Sequence, residues 1–308
     1  MKASMPLLFL LLFLPISISA KIKMAVTVDD LPSHGVLPTG DSRLEIARSL
    51  LAALRSNHVP EVYGFVNVGH VGQESDLTEV LNLWVRSGYP LGNHTFSHPR
   101  LGKISAGDFN KEIAANEPTL KAIGGQLDWH YFRYPFLDEG ESLEKRSAVR
   151  AYLKANKYKI AFVTDEFEDW AWNDPYARCK ARNDQKSIQR LAKSYLKAAS
   201  DRFLLDGKIL TAIYHRPVAR ILLLHIGAFD ARMLPSLLKM YREKGVKFVP
   251  LSEAVGDPIY EEDLGMARGG GGDFEYNALK SRDLTTESLG LGHGWDFPGK
   301  EMAQICAD

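Results

Sequence analysis

The chain has 308 residues, 45% of them apolar and 25% charged, and its 38 basic side chains balance 38 acidic ones. That composition suits a globular protein with one large core or two modest ones. A net charge of zero excludes charge as a reason to expect nucleic acid or an anionic membrane as a partner.

The first segment reads as a secretory signal. Lys2 supplies a positive end, Met5 to Ile16 is apolar, and Ser17-Ile18-Ser19-Ala20 offers a small-residue cleavage site. The apolar run is shorter than the ~20 residues of a membrane helix. No cysteine stands near the cleavage point, which argues against a lipid anchor. The rest of the chain is therefore expected to be exported, periplasmic or secreted, without stable membrane association. In such an oxidising space Cys179 and Cys306 could form a disulfide or stay two thiols, and spacing leaves both open.

From residue 22, short β-like runs alternate with helical ones. Ile22–Val28 is a predicted strand, Ser42–Asn57 a helix, Glu61–Asn67 a strand and Leu77–Ser87 a helix. Tyr89–Asn93 leads into two histidines, and Ser105 can cap a helix to about Ile123 despite Pro118. Trp129–Arg133 is a strand, Glu141–Asn156 a helix, Lys159–Thr164 a strand and Asp184–Leu205 a long amphipathic helix. Ala219–His225 is a strand, Asp230–Lys244 a helix ended by Gly245, and Val246–Val249 a last strand. This rhythm predicts βαβ units and a parallel sheet, either a closed barrel or an open doubly wound sheet. No glycine-rich turn follows the first strand, which argues against a nucleotide-binding sheet. Residues 257–308 lack clean periodicity, contain Gly269-Gly270-Gly271-Gly272, and read as a loop-rich extension.

Five short motifs fall at or just after predicted strand ends, where a barrel of parallel strands builds its site. Asp29-Asp30 closes the first strand. Adjacent carboxylates there are costly unless a cation holds them, although a solvated, capped strand end would also explain them. His94 and His98 stand four apart, so one helical turn would let both imidazoles reach one ion. The plain alternative is a surface and a core histidine that never meet. Two neutral imidazoles and one carboxylate make a set common at metal sites with open positions, and Thr95 and Ser97 are candidates to orient neighbouring groups. In Phe132-Arg133-Tyr134-Pro135-Phe136 the arginine can grip a carboxylate bidentately or point to water. Asp165-Glu166-Phe167-Glu168-Asp169-Trp170 is either a solvated acidic loop or the source of one carboxylate and an apolar wall. His225 ends the apolar run Ile221–Leu224 as an acid or base, or as a hydrogen-bonded core histidine.

Taken in order as D-D, H-T-x-x-H, R-x-P, D-W and L-x-H, these motifs resemble the polysaccharide deacetylases of carbohydrate esterase family 4 over roughly residues 22–256. The resemblance implies an α/β fold, a distorted barrel of about seven strands and helices related to the TIM barrel. Residues 21–256 would form that barrel and 257–308 an extension packed on it. The resemblance further implies metal-dependent removal of acetyl groups from a polysaccharide. By position it assigns Asp30, His94 and His98 to the metal, foremost Zn2+, with Co2+, Ni2+ or Mn2+ as alternatives. It assigns Asp29 as general base, Arg133 as that base's partner, Asp169 as the carboxylate holding a catalytic histidine, and His225 as general acid. Leu223 and Trp170 match walls of an acetyl-methyl pocket, and the backbone near Phe136 a donor to the oxyanion. A base and an acid in opposite protonation states predict a bell-shaped pH–rate curve.

Some positions depart from that pattern. His34 stands where a glycine-containing turn is usual, so it either adds a group to the site or lies on its rim. Phe136 stands where tyrosine is common. The stretch from Trp172 to Arg216 is long. The expected substrate is N-acetylglucosamine of peptidoglycan. The alternatives are chitooligosaccharide deacetylation, O-acetyl xylan esterase activity, or an inactive cell-wall-binding protein on the same scaffold. An Fe(II) oxygenase, whose site is built from two histidines and one carboxylate, is disfavoured by the adjacent aspartates and the barrel rhythm.

Overall fold

The computed structural model describes residues 21–70, 76–264 and 272–307. The predicted signal segment 1–20 and the glycines 269–271 lie outside the described residues.

Met24 to Val28 have no exposed surface, as a strand covered on both faces requires. They form the middle of β1 (Ile22–Leu31), which pairs with β2 (Val62–Val66) and β6 (Arg220–His225). The ladder continues outward through β3 (Leu91–Asn93) and β4 (Tyr131–Phe132) to β5 (Lys159–Ile160). β7 (Val246–Phe248) pairs with the first residues of β1. Among the described residues these seven strands make one wholly parallel sheet, in the order β5-β4-β3-β2-β1-β6 with β7 beside β1. A parallel bridge from Asp165 to Leu222 brings the segment after β5 against β6, so the sheet curls into a distorted (β/α)7 barrel.

Ten helices are described: α1 (Arg43–Ser56), α2 (Leu77–Arg86), α3 (Ala106–Gly124), α4 (Leu143–Ala155), α5 (Asn173–Ala181), α6 (Gln185–Tyr214), α7 (Ala228–Glu243), α8 (Leu251–Ala254), α9 (Phe274–Ser281) and α10 (Gly299–Gln304). The hydroxyls of Ser42, Ser105 and Ser142 accept from the third backbone amides of α1, α3 and α4, which sets those starts. None of the described helices is long and apolar enough to cross a membrane.

Three elements differ from their sequence expectation. The strand predicted to reach Thr164 stops at Ile160, because the Ala161 carbonyl turns to accept from Arg133 Nε at 2.7 Å. Asp206-Gly207 reads locally as a turn, yet α6 runs on through it to Tyr214. Arg202 holds Asp206 from one turn earlier, and Gly207 lets Arg220 come close, since a Cβ there would lie 3.1 Å from its guanidinium. α5 has no amphipathic stripe to announce it. The tail holds α9 and α10 besides loops; α9 packs on α6 and α10 on α5. Cys306 is disulfide-bonded to Cys179 of α5, with their Cα atoms 5.3 Å apart.

Candidate active site

Asp29 stays in the ladder, paired with His225 across β1 and β6. The register with β2 then shifts, and Asp30 takes a φ of 63° before a cis Leu31–Pro32 bond. Neighbours in a regular strand face opposite ways. The break lets both carboxylates line one cavity.

His94 and His98 meet there too, but not on a helical turn. Thr95 and His98 have φ values of 66° and 59°, and the chain between them is a loop. Their ring centroids are 4.8 Å apart. Thr95 and Ser97 do not touch the imidazoles: Thr95 Oγ1 donates to the His94 carbonyl, and Ser97 is held by Glu112 at 2.9 Å. His94 Nδ1 lies 2.7 Å from the Arg133 carbonyl, which can only accept. Its proton therefore sits on Nδ1, leaving the Nε2 lone pair facing Asp30. Burial pushes both histidines down to about 4, so both are neutral at pH 7.

Arg133 does not point to water. It is fully buried, with Nη1 at 3.2 Å from Asp29, Nη2 at 3.0 Å from Thr27 and its guanidinium 4.8 Å from the centre of the Phe65 ring. Burial raises Asp29 to about 6, against the pull of Arg133. Asp30 goes the other way. Burial would raise it, but the His34 hydrogen bond and the charges of His225, His98 and His94 outweigh that and hold it well below the usual carboxylate range.

The acidic motif is not a solvated loop. Asp165 is buried and paired with Arg220, while Asp169 is buried beneath His225. Asp169 accepts from the His225 backbone amide and meets its Nδ1, both at 2.7 Å. Desolvation would lower His225, yet Asp169 wins and raises it to about 10, which keeps it an imidazolium at neutral pH. His34, left open by its sequence, belongs to the site: Nδ1 is 2.8 Å from Asp30 Oδ2, and its ring centre is 4.8 Å from that of His225.

These groups surround a cavity of about 870 Å3. Asp29, Asp30, His94, His98 and His225 line it, with Leu223 and the half-exposed Trp170 as apolar wall. Phe136 lies on its edge with a φ of 56°, 4.5 Å from the His98 ring and under the Arg100 guanidinium. Arg133 and Asp169 act from behind the lining residues. Sequence reasoning missed Thr27, Tyr276 and Lys280, because their partners are far away in the chain, whereas Trp295 already suggested that the end of the tail docks.

The geometry fits a divalent cation. Asp30 Oδ1 is buried and has no hydrogen-bond partner among the described residues. His94 Nε2 and His98 Nε2 stand 3.5 and 3.3 Å from it. The His94 Nε2 lone pair and Asp30 Oδ1 are two acceptors facing one another, and these repel unless a cation joins them. Asp30, His94 and His98 could therefore hold a metal ion.

Comparisons agree with this geometry. A family model for polysaccharide deacetylases matches residues 18–161. An uncharacterised protein of Geobacillus stearothermophilus is 26% identical over 212 residues, 69% of this chain and 66% of that one. A peptidoglycan-N-acetylglucosamine deacetylase of Bacillus cereus is 25% identical over 127 residues, 41% of this chain and 39% of that one. The chain thus spans less than two thirds of either relative. A carbohydrate esterase family 4 pseudoenzyme from Bacillus anthracis shares the fold at a TM-score of 0.54 and 15% identity, over 77% of this chain and 66% of that one. In its motifs, in its barrel and, by the family model, over residues 18–161, this chain is similar to the polysaccharide deacetylases.

Proposed function

We propose that this chain is an exported, metal-dependent N-deacetylase of a cell-wall glycan, with N-acetylglucosamine of peptidoglycan as substrate. The observation that carries the reading is the unpartnered Asp30 Oδ1 between two neutral imidazoles, beside an Asp29–Arg133 pair and an Asp169–His225 pair. Asp30, His94 and His98 would hold the ion, foremost Zn2+. A bound ion of this kind supplies Lewis acidity and a more acidic water. Asp29 is ionised at neutral pH and accepts a proton from the attacking water. Arg133 aims that carboxylate and favours its charged form. His225, protonated because of Asp169, gives a proton to the leaving nitrogen. Leu223 and Trp170 shield the acetyl methyl, and a backbone amide near Phe136 donates to the carbonyl oxygen as charge grows there. Residues 21–256 are the catalytic unit in this reading. Peptidoglycan is preferred over chitin or acetylated xylan because a relative of this chain bears that name.

Acetate release from purified peptidoglycan, chitin oligomers and acetylated xylan, with and without chelator, tests this. Chelator-sensitive release, fastest from peptidoglycan, is expected. Release unaffected by both chelation and His225→Ala would remove the mechanism, and no release from any of the three would favour an inactive binding scaffold.

A further inference from the structure

The tail lies beyond the family match at 18–161, yet it builds one wall of the cavity. α9 brings Tyr276 and Lys280 to that wall, and the following loop brings Trp295. Trp295 is 5.7 Å from Phe297 between ring centres, and Phe297 is 6.4 Å from Trp170. An aromatic strip therefore continues from the loop of Asp169 into the tail. The Tyr276 hydroxyl is buried and has no hydrogen-bond partner among the described residues. A buried phenol is normally paired, so an unpaired one on a cavity wall marks a place for a polar group of a ligand.

The wall is preorganised. Arg202 of α6 grips Asp273 and Glu275 at the start of α9. Its guanidinium also lies 4.7 Å from the centre of the Tyr276 ring and 5.5 Å from that of Trp295. A flat apolar indole beside an unfilled hydroxyl suits a pyranose, whose C–H face is apolar and whose rim carries hydroxyls and amides. The cavity, about 870 Å3, is near the top of the range of about 300–1,000 Å3 that takes drug-sized ligands, so a disaccharide fits better than one acetylated sugar.

We propose that Tyr276 and Trp295 form a subsite for the sugar ring next to the acetylated one, so that the tail determines selectivity for polymers. The inference rests on the deacetylase reading and adds to it a specificity role for the tail.

The test uses the full chain with Trp295→Ala and Tyr276→Phe. Binding of chitopentaose is measured by calorimetry, and kcat/KM is compared between chitopentaose and p-nitrophenyl acetate, a small ester without sugar. Trp295→Ala should weaken both oligomer binding and oligomer kcat/KM about tenfold or more, and Tyr276→Phe about two- to tenfold. Both should leave the small ester within about twofold, since uniform loss of a remote contact does not touch the reacting bond. Unchanged oligomer binding in both variants overturns the subsite, and so do equal losses on the two substrates. Where Trp295→Ala lowers the melting temperature, Tyr276→Phe decides alone, because it removes one oxygen. If the unaltered protein releases no acetate, the deacetylase reading fails, while calorimetry of the same variants still decides the subsite.

Discussion

Two buried clusters in this molecule gather carboxylates, and they are neutralised by different means. Around Arg202 and Arg220, each of Asp165, Asp206, Asp273 and Glu275 has a guanidinium nitrogen beside it. Around Asp30, imidazoles take the place of arginine; Oδ1 receives no hydrogen bond among the described residues, as is also true of one oxygen each of Asp206, Asp273 and Glu275, but those three carboxylates have a guanidinium beside them. A guanidinium is always charged and offers protons to the acceptors it meets. A neutral imidazole offers a lone pair instead. The first cluster thus carries its own cations as a structural tie between α6, the barrel and the tail, whereas the second is suited to an added one. Burial and acidity alone do not distinguish a structural cluster from a reactive one; the protonation of the partners does.

Removing the carboxylate from the open cluster is the severest test. Asp30→Ala should lower acetate release about a thousandfold or more and abolish zinc in elemental analysis, because the ion is worth several kcal/mol at the transition state. A variant that keeps its zinc and its rate would erase the contrast. In the arginine-bound cluster the effect should fall on folding instead. Arg220→Ala leaves Asp165 buried and unpaired, which costs about 3–5 kcal/mol in denaturant unfolding, with acetate release per folded molecule unchanged.

Asp169→Asn sharpens the comparison through His225. In metal-free protein its imidazole should titrate near 10 by NMR, and the variant should bring it down toward the ordinary 6.5. Because the folded value is raised, the stabilisation is whole below about pH 6.5 and is lost as pH climbs through about 10. An unshifted resonance would show that Asp169 is not the cause. The smallest effect is assigned to His34→Ala, which removes the hydrogen bond to Asp30 Oδ2 and should weaken zinc binding about ten- to a hundredfold in a competition titration.

The candidate site was legible because its groups sit at or beyond strand ends, where local apolar runs mark the boundary. Asp29, His94, Arg133, Asp169 and His225 come from five separate strands or the segments that follow them, and their order along the chain identifies them. Their geometry was less legible. The spacing of His94 and His98 suggested a helical turn, whereas the chain reaches the same result with two residues at positive φ. The fate of the acidic run was hidden because Arg220, which neutralises Asp165, lies 55 residues away. Trp295, with Phe297, marked the end of the tail as a docking segment, but Tyr276 escaped notice, since nothing local in a glycine-rich tail reveals that Arg202 will hold it.

The Cys179–Cys306 bond spans 127 residues, and His225, α9 and Trp295 all lie within that span. A single protease cut anywhere in it would leave both fragments covalently joined, so one cut detaches the tail only if a reductant acts as well. Chain made in a reducing cytosol would carry the acid–base groups without this clasp. If the chain is exported as proposed, the clasp would form only after it leaves the cytosol.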